Sequence, residues 1–129
     1  MPDQAKVLII LNSKLAIATL LFVLAASSDA CHSRGIDVTI RNSGQSAIHN
    51  LEFDYPGAAF GTGNIAPGAS FSYRIKPLSR GEVTVSFEQT DGKTFKQKGP
   101  AVIPNQDGRL LIILEQDAGK QWYMRVEQD

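Results

Sequence analysis

The amino-acid sequence predicts an all-β domain, an antiparallel two-sheet sandwich of about seven to eight short strands behind an N-terminal hydrophobic helix. Three observations predict it. After Ala30 the apolar residues fall in short runs of period two, the repeat of a strand with one buried and one wet face. Clusters of Gly, Pro, Asn and Asp interrupt those runs at intervals of roughly 8–12 residues. No stretch beyond Ala30 has the period of an amphipathic helix.

The elements follow in order. From Gly35 to Asn42, Ile36, Val38 and Ile40 point inward against Asp37, Thr39 and Arg41, and Asn42-Ser-Gly-Gln45 supplies turn residues. From Ala47 to Tyr55, Leu51, Phe53 and Tyr55 oppose Glu52 and Asp54, with Ile48 on the wrong parity. Either a residue bulges near His49-Asn50 or Ile48 belongs to the turn. Pro56-Gly57 ends this strand, since proline brings no ladder N–H. Ala58 to Ile65 has few large side chains and reads as a short edge strand with Phe60 exposed. Pro67 and Gly68 fit the central positions of a type II turn, the second of which needs positive φ. Phe71, Tyr73 and Ile75 then alternate with Ser70, Ser72, Arg74 and Lys76.

From Glu82 to Thr90, Val83, Val85 and Phe87 point inward. Asp91-Gly92 signals a type I′ hairpin, returning as Lys93 to Lys98. Leu110-Leu-Ile-Ile-Leu114 is apolar on both parities, which implies burial on both faces. Gln116-Asp-Ala-Gly119 turns the chain, and Trp122, Met124 and Val126 line the last strand's inner face.

The start of the chain is of another kind. Lys14 closes a basic start, Leu15 to Ala26 is apolar apart from Thr19, and Ser27-Ser-Asp-Ala30 is small and polar. This is the order of a secretory signal peptide, with Ser28 and Ala30 at cleavage positions. The alternative is an uncleaved membrane anchor from Val7 to Ala26. That span would place Lys14 near mid-membrane at a cost of about 2.5–3.5 kcal/mol. Leu15 to Ala26 alone is shorter than the roughly 20 residues a spanning helix needs. The organisation expected is a signal or anchor over 1–30, a stem over 31–34 and the sandwich over 35–129.

Cys31 follows directly, and here the segment resembles the signals of bacterial lipoproteins, whose first mature residue is a lipidated cysteine. Ala30 fits that pattern, while Asp29 and Ser28 depart from it. The resemblance makes Cys31 a lipidation candidate; the other reading is an ordinary free thiol. As the chain's one cysteine, it also rules out an intrachain disulfide.

Charge is balanced at 13 basic against 13 acidic residues. No bulk positive field gathers nucleic acid, and none is expected as a partner. Lys93, Lys96 and Lys98 read first as protection of an edge strand, and second as a local patch for anionic surfaces.

Val38-Thr-Ile-Arg-Asn42, Leu51-Glu-Phe53 and Ile65-Ala-Pro-Gly68 with the alternation behind it resemble bacterial immunoglobulin- or fibronectin-III-like modules of cell-surface and periplasmic proteins. The resemblance spans roughly residues 35 to 127 and implies an immunoglobulin-like β-sandwich. Such modules bind other proteins, carry other domains or act as spacers, and no role passes to a particular residue.

Chemistry is sparse. The imidazoles are His32, in the stem, and His49, beside a turn. No set of ligands has zinc spacing. Cleavage after Ala30 without lipidation would leave Cys31-His32 at the N-terminus, where a free amine, thiol and imidazole together could bind copper or zinc. Glu52 with Asp54, and Glu82 with Glu88, share faces as the polar side of a sheet. No glycine-rich phosphate loop opens a helix.

The expectation is a non-enzymatic, exported binding or structural module of a bacterial cell envelope, periplasmic or membrane-anchored, without cofactor. Its partner is a protein or glycan, and the membrane is reached through the N-terminal segment or lipidated Cys31. Partner binding falls on the Pro56–Gly63 stretch through Phe60, Gly61 and Gly63. The alternatives are an inhibitor or immunity-like protein acting through that stretch, and a small hydrolase or metal-handling protein built around His49.

Overall fold

The computed structural model describes residues 34–129; the expected signal segment, Cys31 and His32 lie outside them. Eight strands follow one another: β1 (Ile36–Asn42), β2 (Ile48–Tyr55), β3 (Ala58–Ile65), β4 (Ser70–Ile75), β5 (Gly81–Glu88), β6 (Thr94–Val102), β7 (Gly108–Gln116) and β8 (Trp122–Gln128). They form two four-stranded sheets, in the orders β4-β1-β7-β8 and β3-β2-β5-β6. The all-β two-sheet sandwich is as expected.

Two details correct the expectation. The β1–β7 pair is parallel, whereas every other pair is antiparallel. No hairpin joins these two strands, so no tight turn dictates their relative direction. In constant-type immunoglobulin domains the first two strands share a sheet, but here β1 and β2 lie in different sheets. The turn after Asn42 therefore carries the chain across the sandwich instead of folding it back as a hairpin.

The period-two residues do fill the core. Ile36, Val38 and Ile40 of β1, Leu51 and Phe53 of β2, and Val83, Val85 and Phe87 of β5 are all buried. Trp122, Met124 and Val126 of β8 pack against them half-buried. In β7, Leu110, Ile112 and Leu114 are buried on one face, and Ile113 is buried on the other. Burial on both faces fits the central place of β7 between β1 and β8.

The misplaced parity of Ile48 is resolved by a bulge. Asn50 has φ 49°, and the β2–β5 register shifts between His49 and Glu52, which leaves Ile48 fully buried. Gly68 has φ 82° and the Ala69 N–H donates to the Ala66 carbonyl at 3.0 Å, the geometry of the expected type II turn. The Asp91-Gly92 hairpin differs from expectation. Only Gly92 has positive φ, and Gln89 N–H donates to the Lys93 carbonyl at 2.8 Å. This is a type I turn with a left-handed residue after it, a longer loop than type I′.

Candidate functional site

The stretch singled out for partner binding folds as a tight turn and a strand. Pro56 and Gly57 (φ 102°) reverse the chain, and β3 pairs with β2 from Tyr55↔Ala58 to Ile48↔Ile65. The segment is therefore a paired strand and not a protruding loop. Phe60 is also not exposed: its relative exposure is 8%. It faces the core because it pairs directly with inward-facing Phe53, and the two rings stack at 4.9 Å between centroids. Gly61 and Gly63 are exposed on the same strand.

On its other side Phe60 stacks on Tyr73 of β4 at 4.3 Å and lies 5.9 Å from Phe71. Tyr55 sits beside them, its hydroxyl held above the usual phenol range by burial first and by Tyr73 second. Alternation assigns Tyr73 to the core wall, yet the side chain is 45% exposed. The reason is position: β4 and β3 are both edge strands, so an inward residue there looks out of the open side of the sandwich. Sequence parity has no signal for that.

The four edges are not alike. β6 carries Lys96, Lys98 and Pro100, β8 carries Arg125 and Glu127, and β4 is six residues long with Arg74 on it. Charges, prolines and shortness discourage strand addition. β3 has none of these: its eight residues, AAFGTGNI, include neither charge nor proline. A shallow hollow of about 540 Å³ runs along its outer face, lined by Asn50, Glu52, Ala59, Gly61 and Gly63 among others.

A second hollow of about 590 Å³ lies on the outer face of the other sheet, between Asp37, Thr39, Arg41, Arg109, Glu127 and Asp129. Its charges alternate along the register, Arg74 against Asp37 against Arg109, with Arg74 and Asp37 3.9 Å apart. Such a surface selects neither sign of ligand. His49 stands opposite Glu88 of β5, and its Nδ1 lies 3.0 Å from Oδ1 of Asn64 on an exposed face. Among the described residues no three His, Cys, Asp or Glu side chains gather as metal ligands. Of the expected edge lysines, Lys96 and Lys98 lie exposed on β6, with Lys98 3.8 Å from Glu82, while Lys93 lies exposed in the turn before that strand.

Fold and open edge together define a two-sheet β-sandwich with one unprotected strand. No family model and no curated protein matches the chain. A solved structure with a similar fold is the NMR structure of a protein from Eubacterium rectale, with a TM-score of 0.58 and 14% identity. The match covers 75% of this chain and 92% of that one, and at this identity it speaks to the fold alone.

Proposed function

We propose that this chain is a non-enzymatic, exported binding module of a bacterial cell envelope, and that it holds a protein partner along the β3 side of the sandwich. One observation carries the reading: β3 is an exposed edge without charge or proline, and a half-exposed aromatic, Tyr73, flanks it. An edge of unpaired backbone groups is a template for another chain. It suits a protein better than a glycan, because a peptide backbone matches its donor and acceptor spacing. In this reading segment 1–30 delivers the module across the membrane. Lipidated Cys31, or the uncleaved apolar segment, then keeps it there.

The test uses a photo-crosslinking side chain at one of two positions. At Gly63 an added Cβ meets no atom within 4 Å, so a side chain is tolerated. Lys96, on the protected edge of the same sheet, is the control. The expected result is one discrete adduct from position 63 in the periplasmic or membrane fraction, and none from position 96. Equal adducts from both positions, or none from 63, would overturn the proposal.

A further inference from the structure

We infer that β3 accepts an extended segment of the partner protein as a fifth strand of its sheet, and that this segment alternates apolar with basic residues. The inference rests on the binding side proposed above and adds the chemistry of the occupant.

The hydrogen-bonding phase of β3 follows from its turn. Tyr55 and Ala58 close the two-residue turn Pro56-Gly57. A turn of that length closes on a hydrogen-bonded pair, and bonded pairs then alternate, taking in Phe53–Phe60 and Leu51–Thr62. The residues between, Ala59 and Gly61, direct their N–H and C=O groups away from β2. Those groups are what an added strand would bond.

The outer face beside them is bare. Ala59 pairs with Asp54, and Gly61 with Glu52. A strand added about 4.8 Å beyond β3 would find a methyl group and a hydrogen where side chains normally stand, with two carboxylates behind them. Neither carboxylate has an ion partner among the described residues. The bare strip is also fixed at Gly61, where an added Cβ would stand 2.8 Å from the Leu51 carbonyl oxygen. Lysine or arginine stems can lie across this strip and carry their charge to Asp54 and Glu52. On the inner side the added strand meets Phe60 and Tyr73, which favour apolar side chains. Period two thus turns the two faces into one pattern, apolar inward and basic outward. Pairing β3 with β3 of a second copy does not satisfy it, since AAFGTGNI brings no basic residue.

The experiment titrates the exported protein, purified as the cell processes it, with three blocked octapeptides. One alternates valine and lysine, one alternates valine and glutamate, and one holds the first composition in two blocks. The alternating lysine peptide is expected to bind at least tenfold tighter than either other. It should also slow amide exchange of Ala59 and Gly61 at least tenfold. Ala59→Pro removes an outward donor without touching the β2 ladder and should abolish both effects. The same loss is expected when the peptide is N-methylated at every second residue, which needs no variant to fold. The Glu52→Lys, Asp54→Lys double variant should reverse the preference between lysine and glutamate.

Equal affinity for the lysine and glutamate peptides overturns the inference, as does binding that leaves the Ala59 and Gly61 amides unprotected. In the second case a perturbed Tyr73 resonance would leave the binding-side reading standing. Failure of all three peptides also overturns it, and crosslinking from position 63 then judges the reading by itself. Self-association of the unliganded protein that Ala59→Pro removes would make a second copy the occupant, and would overturn the inference as well.

Discussion

The side-chain amide of Asn42 donates to the backbone carbonyl of Ile65 over 2.9 Å, tying the last residue of β1 in one sheet to the last residue of β3 in the other. The same amide donates to the Ser46 carbonyl at 2.9 Å, and Oδ1 accepts the Gly44 N–H at 3.0 Å. The backbone N–H of Asn42 donates to Ala69, and its carbonyl accepts from Gly68. Asn42 is fully buried with every polar group engaged. It is the clamp that closes this end of the sandwich.

Asn42→Ala should therefore cost about 2–3 kcal/mol, because it strands a buried carbonyl as well as removing bonds. For a domain of this size that lowers Tm by roughly 10–20 °C. Asn42→Asp should be at least as damaging near neutral pH. It keeps the acceptor for Gly44 but aims a carboxylate at two carbonyls. Unfolding can be followed by the fluorescence of Trp122, the single tryptophan, which packs edge-on against Phe87 at 5.2 Å.

Two turns predict changes of opposite sign. At Gly68, φ is 82° and an added Cβ meets open space, so Gly68→Val is strained by backbone alone, by about 1–2 kcal/mol. Lys120 adopts φ 62° at the end of the Asp117–Gln121 turn, where Lys120 N–H donates to the Asp117 carbonyl at 2.9 Å. Lys120→Gly relieves that strain and should raise stability by about 1 kcal/mol. Urea unfolding of both variants checks the pair. A destabilised Lys120→Gly would mean that the turn derives its hold from the lysine itself.

These turns also mark what is legible in the chain. Pro67-Gly68 is readable because one residue type presets φ and the other permits its reversal. Lys120 is not readable, because nothing local to the sequence places a lysine in the left-handed region; only closure of the β7–β8 hairpin does. Ile36, Val38 and Ile40 give away their face by alternation, and the odd parity of Ile48 gives away the bulge at Asn50. Alternation assigns a face but not a neighbour. The parallel β1–β7 pair and the crossing between sheets at Asn42 therefore lie beyond it, as does the burial of Asn42, whose residue type suggests an exposed turn. The candidate site was half legible. Ala58 to Ile65 reads correctly as an edge strand, but the inward turn of Phe60 and the outward look of Tyr73 depend on which strands lie opposite.

Phe60 makes a third prediction, about how this side can be probed. Its ring is buried between Phe53 and Tyr73, so Phe60→Ala should cost about 3 kcal/mol or more through lost burial and the cavity left behind. A large fall in the urea midpoint is expected. Loss of partner binding in that variant would then report on the fold, whereas Ala59→Pro and substitutions at Gly63 report on the edge.

The fourth prediction concerns acid. Glu115 and Tyr123 are a direct cross-strand pair on β7 and β8. The Tyr123 hydroxyl bonded to Glu115, and then Arg125 at 3.1 Å, hold the Glu115 carboxyl below the usual carboxylate range. The same bond holds the Tyr123 hydroxyl above the usual phenol range. A carboxyl depressed in the folded state is deprotonated there while the unfolded chain still binds a proton, so stability rises with pH across that interval. The contribution of Glu115 is thus complete above the unfolded carboxyl pKa and is lost as pH falls through the lower, folded value. Tyr123 works in the other direction: its contribution is complete below the unfolded phenol pKa and is lost as pH rises through the higher, folded one. Glu115→Gln removes both titrations' coupling. Its Tm should be closest to wild type at the acid and alkaline ends of a series from pH 2 to pH 11, and should fall furthest below it near neutrality. A difference from wild type that stays constant across the series would show that the pair does not set the pH response.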